Sequence, residues 1–187
     1  MKKNILKVLL FLVLGNVGFG DVIQILGSNY SIYKGNVYYG NEILEGANPK
    51  TAELIGFSLL KDDKNHVYIG NSSIGLWKLD KIENPETFEF LSDTINTDSF
   101  YGKDKYNVYY VNRIFLSCFG TYTWIGFKVE GINRDKVEVL NDWFIKDDKN
   151  IYFEGKILEG VDYNTFEVLP NGDGKDKNRS YEYLTKD

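Results

Sequence analysis

The chain has very few of the residues that carry reactive chemistry or covalent cross-links. Its 187 residues include one cysteine, Cys118, and one histidine, His66. A single cysteine cannot form a disulfide within the chain, so stability must come from packing and strand pairing. His66 occupies a turn position that sister segments fill with Asn36 and Asn107, which argues against a serine or cysteine hydrolase built around it. Cys118 lies in the most apolar segment, where a thiol is usually inert packing.

An excess of basic residues is also missing. The formal net charge is −5, and no basic stripe runs along the chain. This balance argues against nucleic acid as a partner and disfavours adsorption to an anionic membrane. Neither a Cys/His zinc set nor a glycine-rich phosphate loop is present, so the sequence predicts no cofactor, no metal site and no catalytic residues.

Long hydrophobic runs are absent too, apart from one short run near the N-terminus. Ile5–Leu14 is apolar except for Lys7, follows two lysines, and precedes Gly18-Phe19-Gly20. A transmembrane helix needs about 20 apolar residues, so this pattern favours a signal peptide over residues 1–20. A retained N-terminal anchor is the alternative. Cleavage would leave a single domain over residues 21–187 with a net charge of −8, because three lysines leave with the peptide, and no transmembrane segment. We expect the chain to be exported to the periplasm, the outer surface or the extracellular space.

What the chain does have is one segment repeated four and a half times. A register tyrosine recurs at steps of 30, 41, 43 and 29 residues, at Tyr38, Tyr68, Tyr109, Tyr152 and Tyr181. The recurrence of one segment along the chain indicates a repeat architecture. We place the copies at about 30–60, 61–100, 101–145 and 146–172, with a partial copy at 173–187.

The fourth copy shows the elements of the repeat most clearly. The Asp148-Lys149 pair indicates a turn, and Ile151-Tyr152-Phe153 is an alternating segment typical of a strand. Glu154-Gly155 fits a two-residue hairpin turn before a second strand that ends in Leu158-Glu159-Gly160. A type I turn and a third strand, Phe166-Glu167-Val168, complete the copy. Each copy thus predicts about three short antiparallel strands.

The fold prediction is therefore all-β. Because one unit cannot bury its own apolar face, neighbouring units must stack. The unequal copy lengths favour an open meander or solenoid-like array, with an irregular β-propeller as the alternative. We expect the register tyrosines in equivalent strands, and Leu44, Leu158 and Phe166 in the core.

The repeat resembles a known family. Lys61–Tyr68 and Lys146–Phe153 are similar to the motif of the bacterial DKNYY family, as is the run from Leu158 to Glu167. The resemblance covers nearly all of the chain after residue 20. The resemblance implies a type of repeat found in secreted or envelope proteins. It implies no activity and no catalytic residues.

Two copies depart from the template by insertions. Between the register tyrosine and the Thr-x-Glu glutamate the second copy has six extra residues, which bring Trp77, and the third has fourteen. The third insertion lies within Ile114–Phe127, which includes Tyr122 and Trp124. One interpretation is an extra hairpin that buries these aromatics, since aromatics dominate core packing. The other is a groove in which Trp77, Tyr122 or Trp124 stacks on a sugar or grips a peptide, because single-copy insertions often form the binding face.

The carboxylates offer weaker candidates. A glycosidase-like pair is conceivable on paper, but the glutamates recur by register, which marks them as repeat structure: Glu53, Glu89, Glu138 and Glu167. Asn171–Gly174 hints at a calcium loop with Glu182 twelfth, yet Lys175 and Asp176 stand where a ligand and the required glycine belong. A flexible turn is the better interpretation of that segment.

Three function classes follow. The first, which we favour, is an exported repeat protein that binds an envelope or host protein or a glycan. The second is a purely structural envelope protein. The third is a secreted hydrolase that uses loop carboxylates. Exposed tryptophans beside a groove favour the first class, and buried tryptophans without a groove favour the second.

Overall fold

A computed structural model describes residues 22–56, 58–64, 66–71, 75–79, 81–92, 98–116 and 121–182. These residues form nineteen strands in five sheets, with two short 3-10 turns at Pro85–Thr87 and Arg134–Lys136. In the described part of the chain, no helix has the length and apolar character needed to cross a membrane.

Each of the first four sheets is a four-stranded antiparallel meander of consecutive strands. Sheet one contains β1 Gln24–Gly27, β2 Tyr30–Tyr33, β3 Asn36–Tyr39 and β4 Glu42–Ile43. Sheet two contains β5 Glu53–Leu54, β6 Leu59–Lys61, β7 Val67–Asn71 and β8 Gly75–Lys78. Sheet three contains β9 Glu89–Phe90, β10 Ser99–Lys103, β11 Val108–Leu116 and β12 Thr121–Lys128.

The C-terminal part continues the same pattern. Sheet four contains β13 Glu138–Val139, β14 Phe144–Lys146, β15 Ile151–Phe153 and β16 Lys156–Ile157. Sheet five has three strands among the described residues, β17 Glu167–Val168, β18 Gly174–Lys175 and β19 Ser180–Tyr181. The register tyrosines all lie in the third strand of their sheets, as the sequence predicts.

Tight turns join the strands within a sheet. Lys34 and Gly35 between β2 and β3 both have positive φ, at 48° and 74°. Glu154 and Gly155 between β15 and β16 repeat this geometry, at 48° and 77°. Two successive positive φ angles are the type I′ pattern that matches the twist of a two-residue hairpin. The hairpin turn predicted at Glu154-Gly155 is confirmed.

The sheets stack face to face in chain order. We call the side of a sheet that faces the previous sheet its preceding face, and the side that faces the next sheet its following face. In sheet two, Leu60 and Tyr68 pack into a cluster with sheet one, whereas Leu59 and Ile69 pack into a cluster with sheet three. A third cluster joins sheets three and four through residues such as Tyr101 and Tyr152. Because both faces of the middle strands are buried, their sequences are continuously apolar rather than alternating.

Sheets four and five also pack together. The rings of Phe144 and Phe166 lie 5.3 Å apart. A Cβ on Gly174 would stand 2.7 Å from Phe166 and 3.0 Å from Phe144, so the approach requires glycine. Each interface described joins consecutive sheets, in agreement with the predicted all-β repeat meander.

Two details differ from the sequence-based prediction. The Thr-x-Glu strand does not close its own copy but begins the next sheet: Glu53 pairs with Lys61 and Glu138 with Lys146. The sequence predicts three strands in each copy. The strand that leads into the Asp-Lys turn is the additional one, and it makes each unit four-stranded. Leu44 is buried at 3% exposure, as expected. Leu158 and Phe166 are only half-buried, so the prediction that both are core residues is wrong.

Candidate functional site

Four buried aspartates are the first polar groups to consider, because an ionised side chain is costly to bury without partners. They lie at the end of the second strand in sheets two to five: Asp62, Asp104, Asp147 and Asp176. The repeated residue is therefore the aspartate after Lys61 or Lys146. Asp148 of the predicted Asp148-Lys149 turn is exposed, and so is Asp63, the equivalent residue after Asp62.

Asp147 shows the arrangement that recurs. Its Oδ1 accepts the backbone N–H groups of Lys149 and Asn150, both at 2.8 Å. Its Oδ2 accepts the N–H of Asn133 at 2.7 Å and the hydroxyl of Tyr152 at 3.1 Å. Asn133 belongs to the loop that enters sheet four, so one carboxylate ties together a turn, a register tyrosine and the inter-sheet loop. We call this arrangement an aspartate cage.

The other cages follow the same plan, with one exchange. Asp104 accepts the hydroxyl of Tyr109 at 2.7 Å, and Asp176 accepts that of Tyr181 at 2.9 Å. In sheet two the histidine replaces the tyrosine, with His66 Nδ1 lying 3.1 Å from Asp62 Oδ2. The Tyr68 hydroxyl has no hydrogen-bond partner among the described residues. His66 is thus part of a cage rather than a solvated turn residue.

The electrostatics show that these carboxylates serve the fold. Burial raises the pKa of Asp147, but the N–H groups of Asn133, Lys149 and Asn150 and the Tyr152 hydroxyl outweigh it, so the pKa is below its ordinary value. Burial raises the pKa of Tyr152 to about 12. The cage therefore holds an ionised aspartate against a neutral tyrosine, and neither group is poised to exchange a proton near neutral pH.

The recurrent glutamates are also structural. Each lies opposite the lysine that directly precedes a cage aspartate, on the neighbouring strand. We call this lysine and the aspartate after it the Lys-Asp pair. Ion pairs form between Lys103 and Glu89 at 3.6 Å, Lys146 and Glu138 at 3.2 Å, and Lys175 and Glu167 at 2.9 Å. The Thr-x-Glu and Lys-Asp motifs recur together because they are cross-strand partners.

The remaining polar candidates give no site. No group of three or more His, Cys, Asp and Glu residues suited to a metal ion occurs in the described part of the chain. In the turn considered for calcium, Asn171 donates to Asp173 Oδ2 at 2.6 Å. Cys118 lies outside the described residues.

The β11–β12 hairpin is the part of the structure that departs most from the repeat. Strand β10 pairs with β11 only as far as Asn112, whereas β12 pairs with β11 as far as Leu116. From Ile114 to Leu116, β11 has strand pairing in the described residues only with β12. The extra hairpin predicted within Ile114–Phe127 is wrong in form: the insertion adds no strand to this four-stranded sheet but lengthens β11 and β12, whose paired ends extend past the rest of the sheet.

The three predicted site residues lie at different depths. Trp124 is 5% exposed and packs in the cluster between sheets two and three, with its ring 6.0 Å from Phe100. Trp77 is half-buried against the same cluster. Tyr122, two residues from Trp124, is 38% exposed. The structure therefore does not bring the three aromatics together on one open surface.

Tyr122 belongs instead to a patch that sequence reasoning did not assemble. It lies directly opposite Phe115, which is 53% exposed, and their rings are 5.0 Å apart. The guanidinium of Arg113 lies 4.5 Å from the Tyr122 ring centre. Arg113 also forms an ion pair with Asp98. We call Arg113, Phe115 and Tyr122 the tip patch. Arg113 and Phe115 are two residues apart and so lie on the same face of β11, as Tyr122 and Trp124 do on β12. This two-residue spacing is the sequence signal from which the patch could have been predicted.

A shallow groove of about 600 Å³ lies at the other end of β12. Ile82, Gly126 and Phe127 line it, and Phe127 is 43% exposed. Its rim carries a Lys128–Glu83 ion pair at 2.5 Å, and Lys81 lies 5.6 Å from the Phe127 ring centre. Since positive and negative groups alternate, the groove has no strong preference for an anion or a cation.

The comparisons with known proteins give one match. Searches of curated proteins and of solved structures find no match to this chain. The family model that does match covers residues 30–185, from β2 to just beyond β19, and so includes every aspartate cage and the projecting hairpin. On this evidence the chain belongs to the DKNYY family.

Proposed function

We propose that this chain is an exported binding module that contacts a partner protein through the tip patch. The observation that carries the proposal is the position of Phe115 and Tyr122. Tyr106 and Phe127 are also exposed, but Phe115 and Tyr122 are exposed as a contacting pair at the end of a hairpin that extends beyond its sheet. A projecting aromatic surface of this kind is typical of interaction sites.

The side chains favour a protein partner over a glycan. Sugar rings stack on an open aromatic face, and the two tryptophans best suited to this are buried or half-buried. The Tyr122 ring is already flanked by Phe115 and Arg113. Arginine, tyrosine and phenylalanine are enriched at protein interfaces, where a few such residues supply most of the binding energy.

Export rests on the N-terminal pattern of a basic start, a short apolar run and small residues. Expression of the full chain with its leader, followed by intact-mass analysis, should give a protein that starts near Asp21. Recovery of only the uncleaved chain from the cytoplasm would contradict export.

Binding is tested by capture from the envelope and secreted fractions of the host. The bait proteins are the parent, Tyr122→Ala, Phe115→Ala and, as a matched control, Tyr106→Ala. Tyr106 is 63% exposed in a turn of the same sheet. We expect the parent and the control to retain the same partner, and both tip variants to lose it with unchanged melting temperatures.

Equal capture by all four proteins would overturn the assignment to the tip patch. A glycan array run with the same four proteins separates the two ligand classes. Binding of the parent to a sugar, lost in Tyr122→Ala, would assign the patch to a glycan instead.

One observation favours the second function class, a purely structural envelope protein. Trp124, the most conspicuous aromatic of the insertion, is a core residue. On that account the insertion enlarges the core, and the exposed tip is incidental. The parent would then capture no partner in the assay above, while Trp124→Ala would still unfold the protein.

A further inference from the structure

Sheet one has a preceding face that no sheet of the described chain covers. The register places Ile25, Ser31, Tyr38 and Ile43 in one row across its four strands, with Tyr33 on the same side. We call this the outer face of sheet one. Ile25 and Ile43 are 67% and 50% exposed. Ile23, two residues before Ile25, is 57% exposed.

In the other sheets the register positions of Ile25, Ser31 and Tyr38 are interface positions, whereas the counterparts of Ile43 are exposed: Lys78, Lys128 and Ile157. Tyr38 corresponds to Tyr68, Tyr109 and Tyr152, which are at most 5% exposed, whereas Tyr38 is half-buried. Ile25 corresponds to Leu54, Phe90 and Val139, each half-buried and packed against the preceding sheet. The outer face thus carries the side chains of a stacking interface without a sheet against it.

Sheet one has also lost the residue that holds a preceding loop. The cage aspartate is five residues before the tyrosine in sheets three to five, and Tyr33 occupies that position in sheet one. Tyr33 packs on Tyr38 at 6.4 Å between ring centres. The outer face is therefore apolar and aromatic, and it lacks the carboxylate that elsewhere accepts a hydrogen bond from the preceding inter-sheet loop.

The opposite end of the array is different. The following face of sheet five carries Asp173 and Ser180 where sheet four has the buried Phe144 and Ile151. Ser180 is exposed, and Asp173 accepts a hydrogen bond from Asn171. A polar outer face is what keeps a terminal repeat soluble. One end of the stack is thus polar, and the other presents apolar side chains.

We propose that two copies of this chain associate through the outer faces of their first sheets, in a two-fold symmetric dimer. Head-to-tail stacking would place Asp173 and Ser180 against Ile25 and Tyr38, and would so move a carboxylate and a hydroxyl from water to an apolar surface. Pairing two outer faces buries mainly isoleucine and tyrosine side chains, with the hydroxyl of Ser31 as the polar group of the row. A two-fold axis needs one self-complementary surface, and the outer face supplies it.

The first test is sedimentation velocity over a range of concentrations on the parent, Ile25→Arg and the matched control Ile157→Arg. Ile157 is 43% exposed on sheet four, so both substitutions put a charge on an exposed isoleucine, which leaves the fold intact. We expect the parent to reach twice the mass of one chain, and no more. Ile25→Arg should weaken this association about tenfold or more, because each copy would then bury an arginine in an apolar interface, while the control matches the parent.

The second test distinguishes symmetric pairing from other contacts. Residues close to a two-fold axis approach their own copies, and Ser31 lies in the middle of the row, so Ser31→Cys should form a disulfide-linked dimer on mild oxidation. The parent, which retains Cys118, is the blank for this experiment. Open polymers larger than a dimer, or unchanged association of Ile25→Arg, would overturn the proposal. A parent that sediments as a monomer at all concentrations would also overturn it, and would assign the face to the leader segment or to a different partner.

Discussion

Sheets three and four begin alike and end differently. Both contain the Lys-Asp pair, an aspartate cage, the register tyrosine and a Glu–Lys ion pair. Sheet four then ends in strands of three and two residues, whereas the corresponding strands of sheet three have nine and eight. The shared residues point into the stack, bond the backbone or pair with each other across neighbouring strands. The exposed aromatics of the tip patch occur only in the extension, so the comparison separates what holds the fold from what is available to a partner.

Removing a shared element should have the largest effect. Asp147→Ala leaves three backbone N–H groups and the Tyr152 hydroxyl without their acceptor. We expect a loss of roughly 4–6 kcal/mol in the free energy of unfolding, since each unsatisfied buried donor costs about 1–3 kcal/mol. Urea denaturation measures it.

The neighbouring aspartate is the control for this prediction. Asp148 is exposed, so Asp148→Ala should change the free energy of unfolding by about 0.5 kcal/mol or less. Equal losses for the two variants would mean that the cage does not stabilise the stack.

Within the hairpin, two neighbouring aromatics should behave in opposite ways. Trp124→Ala removes a ring that is 5% exposed, and it should cost about 3–5 kcal/mol. Tyr122→Ala removes an exposed ring and should cost about 1 kcal/mol or less. Thermal denaturation of the two variants compares them directly, and a large loss for Tyr122→Ala would place the tip patch in the structural part of the molecule.

Two leucines at equivalent positions after β4 and β16 sharpen the comparison further. Leu44 is 3% exposed, so Leu44→Ala should cost about 2–4 kcal/mol. Leu158 is half-buried, and Leu158→Ala should cost about 1 kcal/mol. Chemical denaturation midpoints at constant slope measure both. A larger loss at Leu158 would contradict the burial of sheet four described above.

The smallest effect per group is expected from pH. The pKa values of Asp104 and Asp147 in the folded protein are below the ordinary value of 3.8. The stability that these two carboxylates contribute is therefore present above pH 3.8 and is lost as the pH falls through their folded pKa values. The pKa of Tyr152 is raised from 10.0 to about 12, so its contribution is present below pH 10 and is lost between pH 10 and 12. These three groups should therefore contribute a constant amount to stability from about pH 5 to 9. Asp147→Ala should show a shallower loss in acid than the parent, and an identical acid branch would contradict the cage.

The repeat and the all-β fold could be predicted from the sequence because strand and turn signals are local. The pairing of the Thr-x-Glu strand could not be located in the same way, since it depends on a partner about eight residues further along. The opposite charges of Glu138 and Lys146 were the available clue. Adjacent aspartates also look alike in sequence. Only the constant five-residue spacing from Asp104, Asp147 and Asp176 to the register tyrosine identifies the buried one.

The depth of the inserted aromatics could not be predicted at all. Tyr122 and Trp124 share one face of β12, so alternation gives them the same environment. They differ because Trp124 lies within the reach of the cluster between sheets two and three, while Tyr122 lies beyond it. How far one sheet extends over its neighbour is a property of the whole stack, and no local pattern encodes it.

The aspartate cages hold the sheets together, whereas the end of the β11–β12 hairpin lies outside this framework. Native-state amide hydrogen exchange distinguishes the two regions. We expect the cage amides, such as those of Tyr106, Asn107, Lys149 and Asn150, to exchange slowly and only through global unfolding, whereas the amides of residues 114–116 exchange through local opening. Equal protection of both sets, or cage amides that exchange as fast as exposed turns, would contradict this expectation.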